Sequence, residues 1–187
     1  INRGPLQITM GWKGLCYVEL RCHACKDDMH SMYGPIVPNA AWRLIWALNT
    51  IKDENDRITI DHFYDDIIPP DQEEMDFLEQ MNYDEQSVLK ANGIDHFINN
   101  LSGTALKEKL LYEPTANIAG IESGYTGKGS KTVIPSYAFC KIDFRLVKGQ
   151  DAERVVKLLR EHLDRRGFTD IEVIEYSGKN PYHADTK

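Results

Sequence analysis

The 187-residue sequence has no apolar run approaching the ~20 residues a membrane-spanning helix needs, so no span is expected. Basic residues are not in excess. The chain has 22 Lys and Arg against 29 Asp and Glu, a net charge of −7, which argues against nucleic acid and anionic membranes as main partners. Its opening, Ile1-Asn2-Arg3-Gly4-Pro5, has no signal-peptide pattern and no initiating Met, so the chain is expected to be an internal piece of a longer protein. Cysteine is scarce: Cys16, Cys22, Cys25 and Cys140 are the four present. Cys22-His-Ala-Cys25 has redox or zinc spacing, but no second pair accompanies it. In a regular strand Cys25 also points away from Cys22. Reduced thiols are therefore expected, which fit a cytoplasmic location.

What is present is ordinary for a globular domain, with 42% hydrophobic and 27% charged residues. Lys13–Lys26 alternates as a long first strand, with Cys16, Val18, Leu20, Cys22 and Ala24 on one face. Asn39 stands where a helix N-cap belongs, and the helix after it is expected to reach about Lys52. Arg57–Ile60 reads as a short strand. Asp71 caps an acidic, mostly helical insertion over about 71–112. Strands are expected over Thr115–Gly120, Ser136–Leu146 and Ile171–Tyr176. Between the last two lies the clearest helix, 150–166, with Val155, Val156, Leu159 and Leu163 as its apolar stripe. Without the insertion the order is strand, helix, strand, strand, helix, strand. This predicts an α+β domain with a ferredoxin-like antiparallel four-stranded sheet and two helices on one face.

Two loops carry chemistry-bearing residues. The first reads Asp27-Asp28-Met29-His30-Ser31-Met-Tyr33-Gly34, followed by Val37-Pro38-Asn39-Ala40. A loop imidazole such as His30 can donate a hydrogen bond to a developing oxyanion, although the plainer reading is a surface histidine in a turn. The second, Gly124-Tyr-Thr-Gly127-Lys-Gly129-Ser-Lys131-Thr132-Val-Ile-Pro135, nearly imitates a phosphate-binding loop. Ser130 interrupts that pattern, and a strand rather than a helix is expected next, so nucleotide binding is not expected. The following strand ends in Arg145, either a sheet-surface partner of Asp143 or Glu172 or a bidentate clamp for a carboxylate. His162-Leu-Asp164, His183-Ala-Asp185 and Glu73-Glu74 are the possible metal ligands. Residues two apart on a helix do not share a face, which removes the first. The others lack the setting such motifs need, so no metal ligand is assigned in this chain.

Together, the two loops and the Phe144-Arg145-Leu146-Val147 segment resemble the lid, or dimerisation, domain of the dizinc aminoacylase/carboxypeptidase family, which includes carnosinase-like dipeptidases and succinyl-diaminopimelate desuccinylase. The resemblance covers about residues 10–176, and the long insertion is similar to the dipeptidase branch. It implies that residues 1–187 form one lid domain whose catalytic domain, with two zinc ions, lies outside the chain. It also implies that His30 reaches a partner subunit's active site to stabilise the tetrahedral intermediate, and that Thr132 faces the neighbouring subunit's substrate. Arg145 would bind the substrate's terminal carboxylate, and Asn39 would be structural. The implied whole is a homodimeric, cytoplasmic zinc metallopeptidase acting on small peptides or N-acyl amino acids, with the isolated domain inactive and dimerising through the first helix and an edge strand. The competing expectation is a stand-alone ferredoxin-like module that binds a small ligand or a protein without catalysis.

Overall fold

The computed structural model describes residues 11–184. Its centre is an antiparallel four-stranded sheet built from β2 (Gly14–His23), β4 (Thr115–Ser123), β6 (Tyr137–Leu146) and β7 (Ile171–Lys179). The order across the sheet is β4-β6-β2-β7. This is the expected ferredoxin-like arrangement. β2 and β6 pair along their full lengths, from Gly14 opposite Leu146 to His23 opposite Tyr137.

Alternation along these strands decides which face carries the helices. Cys16, Val18, Leu20 and Cys22 of β2 are buried, as are Ala138, Cys140, Ile142, Phe144 and Leu146 of β6. They face α1 (Ala40–Leu48) and α5 (Ala152–Arg165), which cover one side of the sheet. Asn39 caps α1 by accepting from the amides of Ala41 and Trp42 at 2.9 and 3.2 Å. α5 starts at Asp151, whose carboxylate accepts from Arg154 N at 2.9 Å. The preceding turn needs Gly149. Its φ is +94°, and a Cβ there would sit 2.0 Å from the Asp66 carbonyl oxygen. Burial pushes the thiols of Cys16 and Cys140 up to about 12 and that of Cys22 to about 11, so all three behave as apolar fillers.

The insertion holds α2 (Gln72–Gln80), α3 (Glu85–Asn92) and α4 (Gly103–Tyr112). Asp71 and Glu74 form a capping box at the start of α2. Glu74 is thereby explained as a cap, and it also meets His183 Nε2 at 2.8 Å. Of the His183–Asp185 triplet, Asp185 lies outside the described residues. Buried Lys107 of α4 donates to the carbonyls of Glu79 and Met81, binding α4 to the C-terminal end of α2. Among the described residues no helix is long and apolar enough to cross a membrane.

Two expectations need correction. α1 ends at Leu48 rather than near Lys52, because Thr50 and Ile51 close a tight turn onto Ala47 and Leu48. Arg57–Ile60 forms no strand; a single bridge joins Ile58 to Lys52. Asp53 folds the chain back on itself by accepting from Asn55 and Arg57, both at 2.9 Å, which leaves no length for a ladder. Ile51, Ile58, Ile60 and Phe63 plug the core from this irregular segment.

His162 also joins the core, fully buried on the inner face of α5. Its Nδ1 accepts from Asp61 N at 3.3 Å, and its Nε2 lies 3.1 Å from Thr50 Oγ1. Thr50 spends its own proton on the Ala47 carbonyl, so Nε2 is the donor and the ring is neutral. Burial, followed by the nearby Arg166, pulls the basicity of His162 down. Asp61 is gripped by Arg165 and Arg166, which hold its carboxyl below the usual range. Asp164 faces away and pairs with Arg160 at 2.7 Å.

Candidate functional site

The two chemistry-bearing loops meet. β3 (Met29–His30) pairs with β5 (Val133–Ile134), with His30 opposite Val133. Ser31 N donates to the Thr132 carbonyl at 3.2 Å. His30 and Thr132, 102 residues apart in sequence, are joined side chain to side chain, with His30 Nε2 3.2 Å from Thr132 Oγ1. The glycine-rich loop leads into β5 rather than a helix.

His30 has a defined tautomer. Its Nδ1 accepts from the Met32 amide at 3.2 Å. A nitrogen that accepts has no proton, so in the neutral ring the proton is on Nε2, beside Thr132. Both side chains are exposed. The arrangement is a neutral N–H donor and a hydroxyl held together at the surface, able to hydrogen-bond an oxygen brought from outside the chain.

Asp28 holds this pair in place. Its Oδ1 accepts from Ser136 N at 2.9 Å and Ser136 Oγ at 3.0 Å, and these bonds hold its carboxyl below the usual carboxylate pKa. The His30 loop is thus tied to the start of β6. The Ala40 amide donates to the Pro135 carbonyl at 3.2 Å, which ties α1 to the same corner. The sequence marked Asp28 only as part of a motif. Its anchoring role depends on Ser136, 108 residues away.

Arg145 stands apart from the pair. Nine residue steps along β6 lead from Ser136 to Arg145, a run of ~30 Å at strand spacing. Arg145 lies on the sheet face without helices, half exposed, with Nε 3.6 Å from Asp143. Thr115 and Leu15 lie opposite it on the flanking strands. The structure therefore brings together two of the three predicted site residues and sets the third at the far end of the sheet.

No group of three or more His, Cys, Asp or Glu side chains converges among the described residues. His162 is bonded inside the core, and His183 is bonded to Glu74. The side chains described here do not fit a zinc centre.

On the helix side, one surface is left uncovered. α1 packs on β2 and β6, next to the edge strand β4. It exposes Trp42, Ile45 and Trp46, with the two indoles stacked at 6.1 Å. Ile118 and Ile121 of β4, opposite Ile142 and Cys140, are 52% and 53% exposed.

Known proteins share this architecture. The family profile described as "Peptidase dimerisation domain" matches residues 10–170. A Cys-Gly metallodipeptidase of Schizosaccharomyces pombe is 28% identical over 159 residues, which is 84% of this chain and 33% of that protein. The Beta-Ala-His dipeptidase of Rattus norvegicus is 28% identical over 186 residues, 95% of this chain and 37% of that protein. Among solved structures, an M20 family metallo-carboxypeptidase from Sulfolobus solfataricus has a TM-score of 0.89 at 39% identity, covering 94% of this chain and 46% of its own. Human carnosine dipeptidase 1 has a TM-score of 0.82 at 25% identity, covering 95% of this chain and 39% of its own. The chain spans about a third of the length of the curated relatives it matches. With the ferredoxin-like sheet, the helical insertion and a matched profile over most of its length, the chain belongs to the M20 peptidase dimerisation domain family.

Proposed function

We propose that this chain is the lid and dimerisation domain of a homodimeric metallopeptidase that hydrolyses small peptides or N-acyl amino acids. The catalytic domain and its two zinc ions are assigned to chain outside residues 1–187, and no zinc ligand is assigned here. Within the reading, His30 donates from Nε2 to the oxygen that becomes negative as the scissile carbonyl is attacked. Thr132 holds a second contact to the substrate, and Arg145 forks onto the substrate's terminal carboxylate.

The observation that carries this reading is the tautomer of His30. The Met32 amide occupies Nδ1 and leaves the ring's one N–H on Nε2, at the surface and 3.2 Å from Thr132 Oγ1. A neutral imidazole donor fixed in this tautomer has only to exchange the Thr132 oxygen for the developing oxyanion.

The separation of Arg145 supports the role of the dimer. A dipeptide spans ~7 Å, far short of the ~30 Å between the two ends of β6. One copy cannot place the His30–Thr132 pair and Arg145 on the same substrate. Two copies can, with the pair from one subunit and the clamp from the other. The uncovered α1–β4 surface supplies a suitable interface: a free strand edge beside Trp42, Ile45 and Trp46. The cytoplasm is proposed as the compartment, on the strength of four free cysteines.

The test uses the full-length protein. His30→Ala is expected to lower kcat by roughly 10²-fold or more, as loss of an oxyanion donor does, with KM little changed. An unchanged kcat removes His30 from the mechanism.

A further inference from the structure

Lys13 sits between β1 (Gly11–Trp12) and β2, at the end of the sheet that carries Arg145. Its side chain donates from Nζ to the Glu113 carbonyl at 2.5 Å. Lys13 enters on the β2 side of β6, and Glu113 precedes β4 on the other side. Neighbouring strands lie ~4.8 Å apart, so a bond between the two flanks must cross the end of β6 where Arg145 projects. Register agrees. Leu15 and Thr115 flank Arg145, and Lys13 and Glu113 each stand two residues before them.

The two cations are poorly neutralised. The Glu113 carboxylate pairs with Lys109 at 2.8 Å and acts on Lys13 through its charge, without a direct ion pair among the described residues. Asp143 is the one carboxylate recorded against Arg145 among the described residues, and its distance is 3.6 Å. Burial, the Glu113 charge and the neighbouring Arg145 act on the Lys13 ammonium with opposite signs, and the net effect lowers its proton affinity to about 8. A half-buried ammonium with one carbonyl bond, next to a second cation, is a place where an arriving anion is favoured.

We propose that Lys13 is the second cation of the Arg145 clamp, so that a substrate's terminal carboxylate is held between the ammonium and the guanidinium. This rests on the assignment of Arg145 as the carboxylate ligand. Arg145 offers a planar fork and fixes direction, while Lys13 offers a point charge that is not tied to one geometry. The site therefore selects substrates with a free terminal carboxylate over their amides.

The test compares full-length protein with its Lys13→Met, Lys13→Arg and Arg145→Met variants. The probe is the best-hydrolysed member of a dipeptide panel, measured beside its C-terminal amide. For the free acid, Lys13→Met is expected to raise KM about tenfold to hundredfold, the range for one hydrogen bond to a charged group, with kcat unchanged. For the amide it should change little. Lys13→Arg should recover most of the acid KM. With the unsubstituted protein, KM for the acid should climb above about pH 8 as Lys13 loses its proton, and Lys13→Arg should remove that climb. The charged groups in play are Lys13, Arg145, Asp143, Glu113 and Lys109.

If Arg145→Met raises the acid KM and Lys13→Met does not, the clamp stands and the role of Lys13 is overturned. If Lys13→Met raises KM equally for acid and amide, Lys13 only braces the α4–β4 corner, and the proposal is overturned. If neither variant discriminates acid from amide, or no dipeptide is hydrolysed, the underlying reading of Arg145 falls, and this proposal with it.

Discussion

Substituting Trp46 by serine tests the proposed dimer surface. Trp46 is 56% exposed and stacks on Trp42, which is 55% exposed. A little over half of an indole is ~130 Å² of mostly apolar area, worth ~3 kcal/mol at ~25 cal/mol per Å² if an interface covered all of it. We take half of that exposed area as covered by the partner. A two-fold interface counts each residue twice, so Trp46→Ser should cost ~3 kcal/mol of association, about a hundredfold in Kd. Sedimentation equilibrium over a concentration series reads Kd directly. Phe77→Ser on α2 is the control, because Phe77 is 64% exposed yet lies in the insertion, outside the α1–β4 surface. A Trp46→Ser dimer with Kd within about twofold of the unsubstituted protein would refute the reasoning, as would equal weakening by Phe77→Ser.

Two further outcomes follow from the site and the core. Asp28→Ala removes both bonds to Ser136 and frees the His30 loop, so full-length protein should lose about tenfold in kcat with KM nearly constant, while Asp28→Asn, which keeps an acceptor oxygen, should recover most of it. An unchanged kcat in Asp28→Ala means the anchor is not needed. His162 is neutral and depressed in basicity when folded, so the unfolded chain binds its proton first as pH falls. Stability should therefore be complete above about pH 6.5 and decline below it, by at most about 1.4 kcal/mol per pH unit from this group, and Tm scans from pH 8 to 5 should show a slope that His162→Gln flattens.

Much of the fold is legible because local chemistry and the hydrophobic pattern agree. β6 alternates without a break and β2 does so apart from buried Glu19, so their helix-facing sides can be read residue by residue. Asn39 and Asp71 each stand one residue before a helix and cap it, while Asp151 caps α5 one residue after the expected start at 150. The stretch 49–66 resists reading because it has neither period. Its isoleucines look like a strand, but Asp53 turns the chain back, and Asp56 and His62 take positive φ. Val156, placed on the stripe of α5, is half-buried, while His162 fills the core. The imidazole is accepted there because Thr50 and Asp61 satisfy both of its nitrogens, and those partners come from that same irregular segment.

A resemblance to a known family singled out His30, Thr132 and Arg145; by itself the local sequence determined the α+β order of elements, the helix caps Asn39 and Asp71, and the acidic insertion. These depend on neighbours within a few residues, or on a period that any chain segment displays. Only the tertiary structure decided which of those side chains meet. Pairing of β3 with β5 brings His30 onto Thr132, and the full-length ladder of β6 carries Arg145 to the far end. It also turned Glu74 into a helix cap, His162 into core, Asp28 into an anchor and Lys13 into a neighbour of Arg145. Each of those outcomes depends on a partner 3 to 132 residues along the chain, and the longer spans are set by strand register, which no local pattern encodes.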